Sequence, residues 1–114
     1  MIKTASIFAD VEFDADRPKV QILFESALTR EIRILMRAGQ EMREHRTFFP
    51  IVLQVQDGAI DFSAEGREFQ LNNGDLIALE SNVPHSLAAR EDSIVRLSLS
   101  RMDKTERVRR AAEQ

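Results

Sequence analysis

Apolar and polar residues alternate along several short stretches of the chain. Ile60 and Phe62 stand against Asp61 and Ser63, Phe69 and Leu71 against Glu68 and Gln70, and Val95, Leu97 and Leu99 against Arg96, Ser98 and Ser100. A period of two is what a strand needs when one face meets a core and the other meets water. Turn chemistry separates these runs, at "QDGA", "SAEG", "LNNGD", "SNVPH" and "REDS". A turn roughly every eight to twelve residues is the rhythm of an antiparallel sandwich or barrel. Asp57-Gly58 suits the positive φ angles of a tight turn and is expected to join "IVLQVQ" to "AIDFS" as a hairpin. "GDLIALE" is apolar almost throughout and reads as a strand covered on both sides.

The segment from Val20 to Arg37 carries two patterns. Val20, Phe24, Ala27 and Leu28 satisfy helical spacing, whereas Ile32, Ile34 and Met36 alternate; the β-rich surroundings favour two strands. The tail "MDKTERVRRAAEQ" differs in kind. Asp103 followed three places later by Glu106 predicts a capped short helix over about 103–112. Arg101, Lys104, Arg107, Arg109 and Arg110 make this tail basic, which suggests an anionic partner; a solvated helix with arginines near its carboxyl end is the simpler reading. The acidic "ADVEFDAD" near the other end reads as a solvated, loosely structured segment that pairs with the tail.

Composition narrows the classes. With 114 residues, 43% hydrophobic and 31% charged, the chain is one soluble globular domain spanning 1–114, with a barrel core over about 20–100. A net charge of −3 offers no concentrated basic surface for nucleic acid. The absence of cysteine excludes disulfides, thiolate metal sites and cysteine nucleophiles. No apolar run approaches the roughly 20 residues that span a bilayer, and the first ten residues lack the apolar centre of a secretory leader. Cytoplasm is the expected location and no membrane association is expected.

There is no glycine-rich phosphate loop, no Gly-x-Ser-x-Gly elbow and no His-Glu-x-x-His pair. The order Gly39, His45, Gly58, then Gly74-Asp75, then Pro84-His85 instead resembles the two motifs of the cupin superfamily. In the first motif Gly39, His45 and Gly58 hold the family spacing, while Thr47 stands at the second histidine and Ile51 at the glutamate. In the second, Gly74 and His85 keep their places, and Glu80, Asn82 and Ala89 replace proline, glycine and asparagine. The resemblance spans Gly39 to Ala89 and implies an all-β fold: a cupin-like double-stranded β-helix, an antiparallel jelly-roll barrel, with a short C-terminal helix.

The same resemblance implies a site. His45 and His85 match two of the family's four metal-ligand positions, so a divalent iron, manganese, nickel or zinc ion would rest on those two alone. Glu44 should point away from His45 on a strand, and Gln54 and Gln56 lie on the face opposite Ile51, so no third donor is visible. Without metal, the two imidazoles can exchange protons or hydrogen bonds with a ligand near neutral pH. Thr47 would add a hydroxyl, and Phe48, Phe49 and Pro50 an apolar lip. Arg33, with Arg37 on the same strand face, would pair with a carboxylate if inward and is otherwise surface charge. Met36 and Met42 are expected to fill the core.

The expected pocket therefore comprises His45, His85, Thr47, Phe49, Ile51 and Arg33. Three functions follow from it: a small-molecule binding protein; a metal-dependent oxygenase or isomerase; and a regulatory or interaction module using the barrel as scaffold. A homodimer through an open edge near Val20–Glu25 is expected.

Overall fold

The alternating runs become strands in the computed structural model, which describes residues 1–113. In chain order they are β1 (Lys19–Glu25), β2 (Thr29–Met36), β3 (Glu41–His45), β4 (Ile51–Asp57), β5 (Ala59–Ala64), β6 (Arg67–Asn72), β7 (Leu76–Leu79), β8 (His85–Ala89) and β9 (Ser93–Ser100). One helix, α1 (Thr105–Ala112), follows. Two antiparallel sheets face each other, ordered β1-β2-β9-β4-β7 and β3-β8-β5-β6. This is the antiparallel jelly-roll expected from the sequence, with its C-terminal helix.

Alternation fills the space between the sheets. Ile32 and Ile34 on β2, Val95, Leu97 and Leu99 on β9, and Ile51, Leu53 and Val55 on β4 meet Ile60 and Phe62 on β5 and Leu87 on β8. Val20–Arg37 forms two paired strands, with a bulge between Ile22 and Phe24. The β context outweighs the helical spacing because Ile32, Ile34 and Met36 must all reach one core. Met36 and Met42 are buried there, as expected.

Two local expectations are corrected. Asp57-Gly58 does not close a hairpin: β4 pairs with β7 and β9, whereas β5 pairs with β6 and β8. Here the chain steps from one sheet to the other. Gly58 (φ +113°) passes so close to β9 that a Cβ would meet Ser93 Oγ and, at 2.7 Å, the Asp92 carbonyl. Absence of a side chain matters at this corner more than turn type. The hairpin with positive φ at both turn residues lies instead at Glu65-Gly66, between β5 and β6.

"GDLIALE" is likewise not covered on both sides. Its strand, β7, is an edge that pairs only with β4, and Leu76 is 61% exposed. β1, the strand expected to join two copies, lies at the opposite edge of the same sheet.

The helix begins at Thr105, and Asp103 is a clamp rather than its cap. Its carboxylate accepts hydrogen bonds from the Lys104 N–H (2.9 Å) and the Phe49 N–H (3.2 Å), tying the helix start to the loop after β3. An eight-residue helix is marginal alone; here Val108, Ala111 and Ala112 join the barrel core and α1 packs mainly on β3. Asp14 of the acidic segment, with Arg17 just after it, lines a groove shared with Arg109 and Glu113 of the tail.

Candidate functional site

His45 and His85 are brought together. They are direct cross-strand partners on β3 and β8, with ring centroids 4.3 Å apart and planes tilted by 56°. Plain alternation would not achieve this. Met42 points into the core opposite Leu87, and three residues further His45 would face outward. A bulge between Met42 and His45 sets three residues of β3 against two of β8 and restores His45 to the inner face. On the other side of β8, His85 is opposite Ala64, whose small side chain leaves room for the imidazole, and its ring stacks on Phe62 (5.5 Å, 9°).

Both rings are fixed in the same tautomeric sense. Nδ1 of His45 lies 2.8 Å from the Arg43 carbonyl and Nδ1 of His85 lies 2.9 Å from the Val83 carbonyl. A carbonyl can only accept, so each Nδ1–H donates and each neutral Nε2 keeps its lone pair. Burial pushes the His85 pKa down to about 4, against a partly offsetting hydrogen bond to Val83, and neighbouring His45 adds repulsion. Burial likewise lowers the His45 pKa, with the Arg43 carbonyl bond opposing and the Arg43 charge reinforcing it. At neutral pH the pair is two uncharged acceptors.

The other expected pocket residues are used differently. Thr47 is 3% exposed and donates its hydroxyl to the Phe49 carbonyl at 3.1 Å, so it holds the loop. Ile51 belongs to the core, and Phe49 is half-buried beside the Asp103 clamp. Arg33 lies on the other face of its sheet and is neither ligand-facing nor ordinary surface charge. It is 5% exposed and donates to Gln21 Oε1 (3.0 and 2.7 Å) and to the carbonyls of Ile7, Ala9 and Asp10. This pins the N-terminal segment across the outside of β1 and β2.

A metal-holding set would need donors beyond the two imidazoles. Among the described residues, no group of three or more histidines and carboxylates converges. Thr47 and Ile51 supply nothing at the two remaining family positions, and Glu44 is exposed within the β3 bulge. The donor set does not fit a resident transition metal.

The sequence reading missed what surrounds His45. A cleft of about 270 Å³ opens beside it, lined by Arg43, Glu44 and Arg46 from the end of β3 and by Arg107, Arg110 and Ala111 from α1. Arg107 stacks its guanidinium 3.7 Å from the centre of the Phe48 ring. The three-residue spacing of Arg107 and Arg110, on one side of a helix, was the available signal.

This combination, two facing antiparallel sheets with paired histidines on β3 and β8, defines a cupin-type double-stranded β-helix. The model of the AraC-like ligand binding domain matches residues 30–107, and the chain belongs to that family, within the cupin superfamily. Solved structures agree on the fold. An RmlC-like cupin protein from Desulfovibrio desulfuricans is similar with a TM-score of 0.78 at 21% identity, over 88% of this chain and 97% of that one. A Klebsiella pneumoniae protein with a double-stranded β-helix domain gives 0.75 at 16% identity, over 88% and 90%. Salicylate 1,2-dioxygenase from Pseudaminobacter salicylatoxidans gives 0.59 at 30% identity, over 62% of this chain but 21% of the dioxygenase. No curated protein matches at a significant level.

Proposed function

We propose that the protein is a small-molecule binding cupin whose ligand donates hydrogen bonds to Nε2 of His45 and His85. The observation that carries this reading is the pair itself: a bulge turns His45 inward, opposite His85, and backbone carbonyls fix both rings with Nε2 lone pairs available. Each Nδ1 is engaged by a backbone carbonyl, which leaves Nε2 as the ring nitrogen that a ligand can address. Membership of a ligand-binding domain family supports the same conclusion. The chemistry is recognition, with no turnover assigned.

The test uses the fact that the chain has two histidines, so their ring protons can be followed by NMR while the protein is titrated with sugars, hydroxy acids and sugar phosphates. The expected result is a saturable shift of both histidine Hε1 signals with at least one class, lost in His85→Phe. If none of these classes moves either signal, the reading is wrong.

Metal-dependent oxygenase or isomerase chemistry draws support from the likeness to the salicylate dioxygenase, but its donor set is incomplete. Protein prepared without a nickel column should carry well under one equivalent of iron, manganese, nickel or zinc. A stoichiometric metal lost in the His45→Ala, His85→Ala double variant would reverse the ranking.

A further inference from the structure

We propose that the cleft between α1 and the end of β3 binds a small molecule bearing a doubly charged oxyanion group, a phosphate monoester or a dicarboxylate. The proposal rests on the reading of His45 and His85 as ligand-facing and names the chemical class of that ligand. Four arginines, Arg43, Arg46, Arg107 and Arg110, line this cleft against one acidic residue, Glu44. In a chain with a net charge of −3 such a gathering is local and runs against the overall balance.

Pairing elsewhere sharpens the contrast. Arg30, Arg90, Arg96 and Arg101 form ion pairs with Glu25, Asp61, Glu31 and Glu25 respectively. Within the cleft, Arg107 alone has an acidic partner among the described residues, Asp103 at a long 3.8 Å. Asp103 is itself occupied by two backbone N–H groups. Arg43, Arg46 and Arg110 line the cavity and form no ion pair with a described carboxylate.

Arginine presents parallel N–H groups that match the oxygens of a phosphate or carboxylate, which is why such clusters select planar or tetrahedral oxyanions over halides. Arg107 is also held in place over the Phe48 ring, its guanidinium carbon 3.7 Å from the ring centre. His45 lies in the wall of the same cleft, so the ligand's anionic head can rest among the arginines while a hydroxyl next to it reaches His45, whose ring centre is 4.3 Å from that of His85. The cleft is small and walled by two elements, which favours a small molecule over an extended polyanion. Because one wall is α1 and the other β3, an occupant would tie the helix to the barrel.

The probes are inorganic phosphate and, separately, malonate, titrated at constant ionic strength with chloride as the balancing anion. Saturable shifts of the Arg46, Arg107 and Arg110 side-chain N–H signals and of His45 Hε1 are expected. Binding should weaken at least tenfold in the Arg46→Gln, Arg110→Gln double variant. Both side chains are exposed, and an unchanged amide spectrum verifies the fold. Arg109→Gln, on the same helix but outside the cleft, should bind as the parent does. The tighter of the two probes tells phosphate from dicarboxylate.

Responses to both probes no larger than to chloride, or equal binding by the double variant, overturn the proposal. So does binding of a single-stranded oligonucleotide when neither small anion binds. Dianion binding that is lost with the arginines but unaffected by His85→Phe, with no movement of His45, would uphold the anion cleft and remove the histidine reading. A neutral sugar that shifts both histidines while the dianions bind nowhere would do the reverse.

Discussion

Replacing His85 by Gln should remove most of the acid sensitivity of folding that this side chain creates. In the folded protein its pKa lies at about 4, against an ordinary value of 6.5, chiefly because burial disfavours the imidazolium. The unfolded chain therefore binds a proton more readily than the folded one between those values, and stability must rise with pH across that window. The contribution is fully present above about pH 6.5 and is lost as pH falls toward 4, where both states become protonated. The shift corresponds to about 3 kcal/mol in total, of which about 2 kcal/mol is already gone at pH 5. His85 is 3% exposed, so solvent screening gives little reason to discount the figure. Carboxylates titrate in the same range, so the informative quantity is a difference. Urea denaturation of the parent and His85→Gln at pH 8, 7, 6, 5 and 4.5 should give curves that converge as pH falls, the variant losing about 2 kcal/mol less between pH 8 and 5. His45 is coupled to the same event, and the difference belongs to the pair. Curves that stay parallel, or an Hε1 titration of His85 with a midpoint at 6 or above, would refute the argument.

Two further substitutions test the architecture around the site. Gly58→Ala should cost about 3 kcal/mol, because φ +113° is unfavourable for alanine and the new methyl would press on Ser93 and the Asp92 carbonyl. Gly66→Ala, at φ +71° with open space around it, should cost only about 1 kcal/mol; equal urea midpoints for the two variants would contradict the close approach. Arg33→Ala should lower stability by about 2 kcal/mol and free the segment around Ile7 to Asp10, seen as new protease cleavage there with the barrel left whole; an unchanged digestion pattern would mean that Arg33 does not pin it.

The fold was legible because its signal is redundant. Val95, Leu97 and Leu99 alternate on β9, Ile60 and Phe62 on β5, and each run agrees with its neighbours on which face is inward. The errors fall where one local pattern has two structural meanings. An Asp-Gly pair between apolar runs suits both a hairpin and a corner between sheets, and only the pairing of β4 with β9 decides between them. Apolar residues in succession suit both a central strand and an edge, and the exposure of Leu76 reflects its place in the sheet rather than its neighbours in sequence. Arg33 shows the same limit from the other side. Nothing near it in the chain says that the N-terminal segment will cross the outer face of the sheet and surround its guanidinium with carbonyls.

At the site, the spacing of His45 and His85 pointed to a pair, but the bulge that makes them face each other has no sequence signature of its own. Its consequence is chemical. With histidine and glutamate at the positions of Thr47 and Ile51, the inward imidazoles would belong to a charged coordination set. Thr47 instead holds its own loop and Ile51 extends the core, so the two rings have no carboxylate partner there, and burial, joined at His45 by the Arg43 charge, keeps them neutral. Neutral imidazoles with Nδ1–H engaged by backbone can accept hydrogen bonds but bring no charge to hold an anion. Positive charge is supplied instead by the arginines of β3 and α1 that line the cleft beside His45. Under the function proposed above, the barrel would separate two tasks that a metal would combine: attraction of a negatively charged group at the rim, and orientation of its neighbouring donors within.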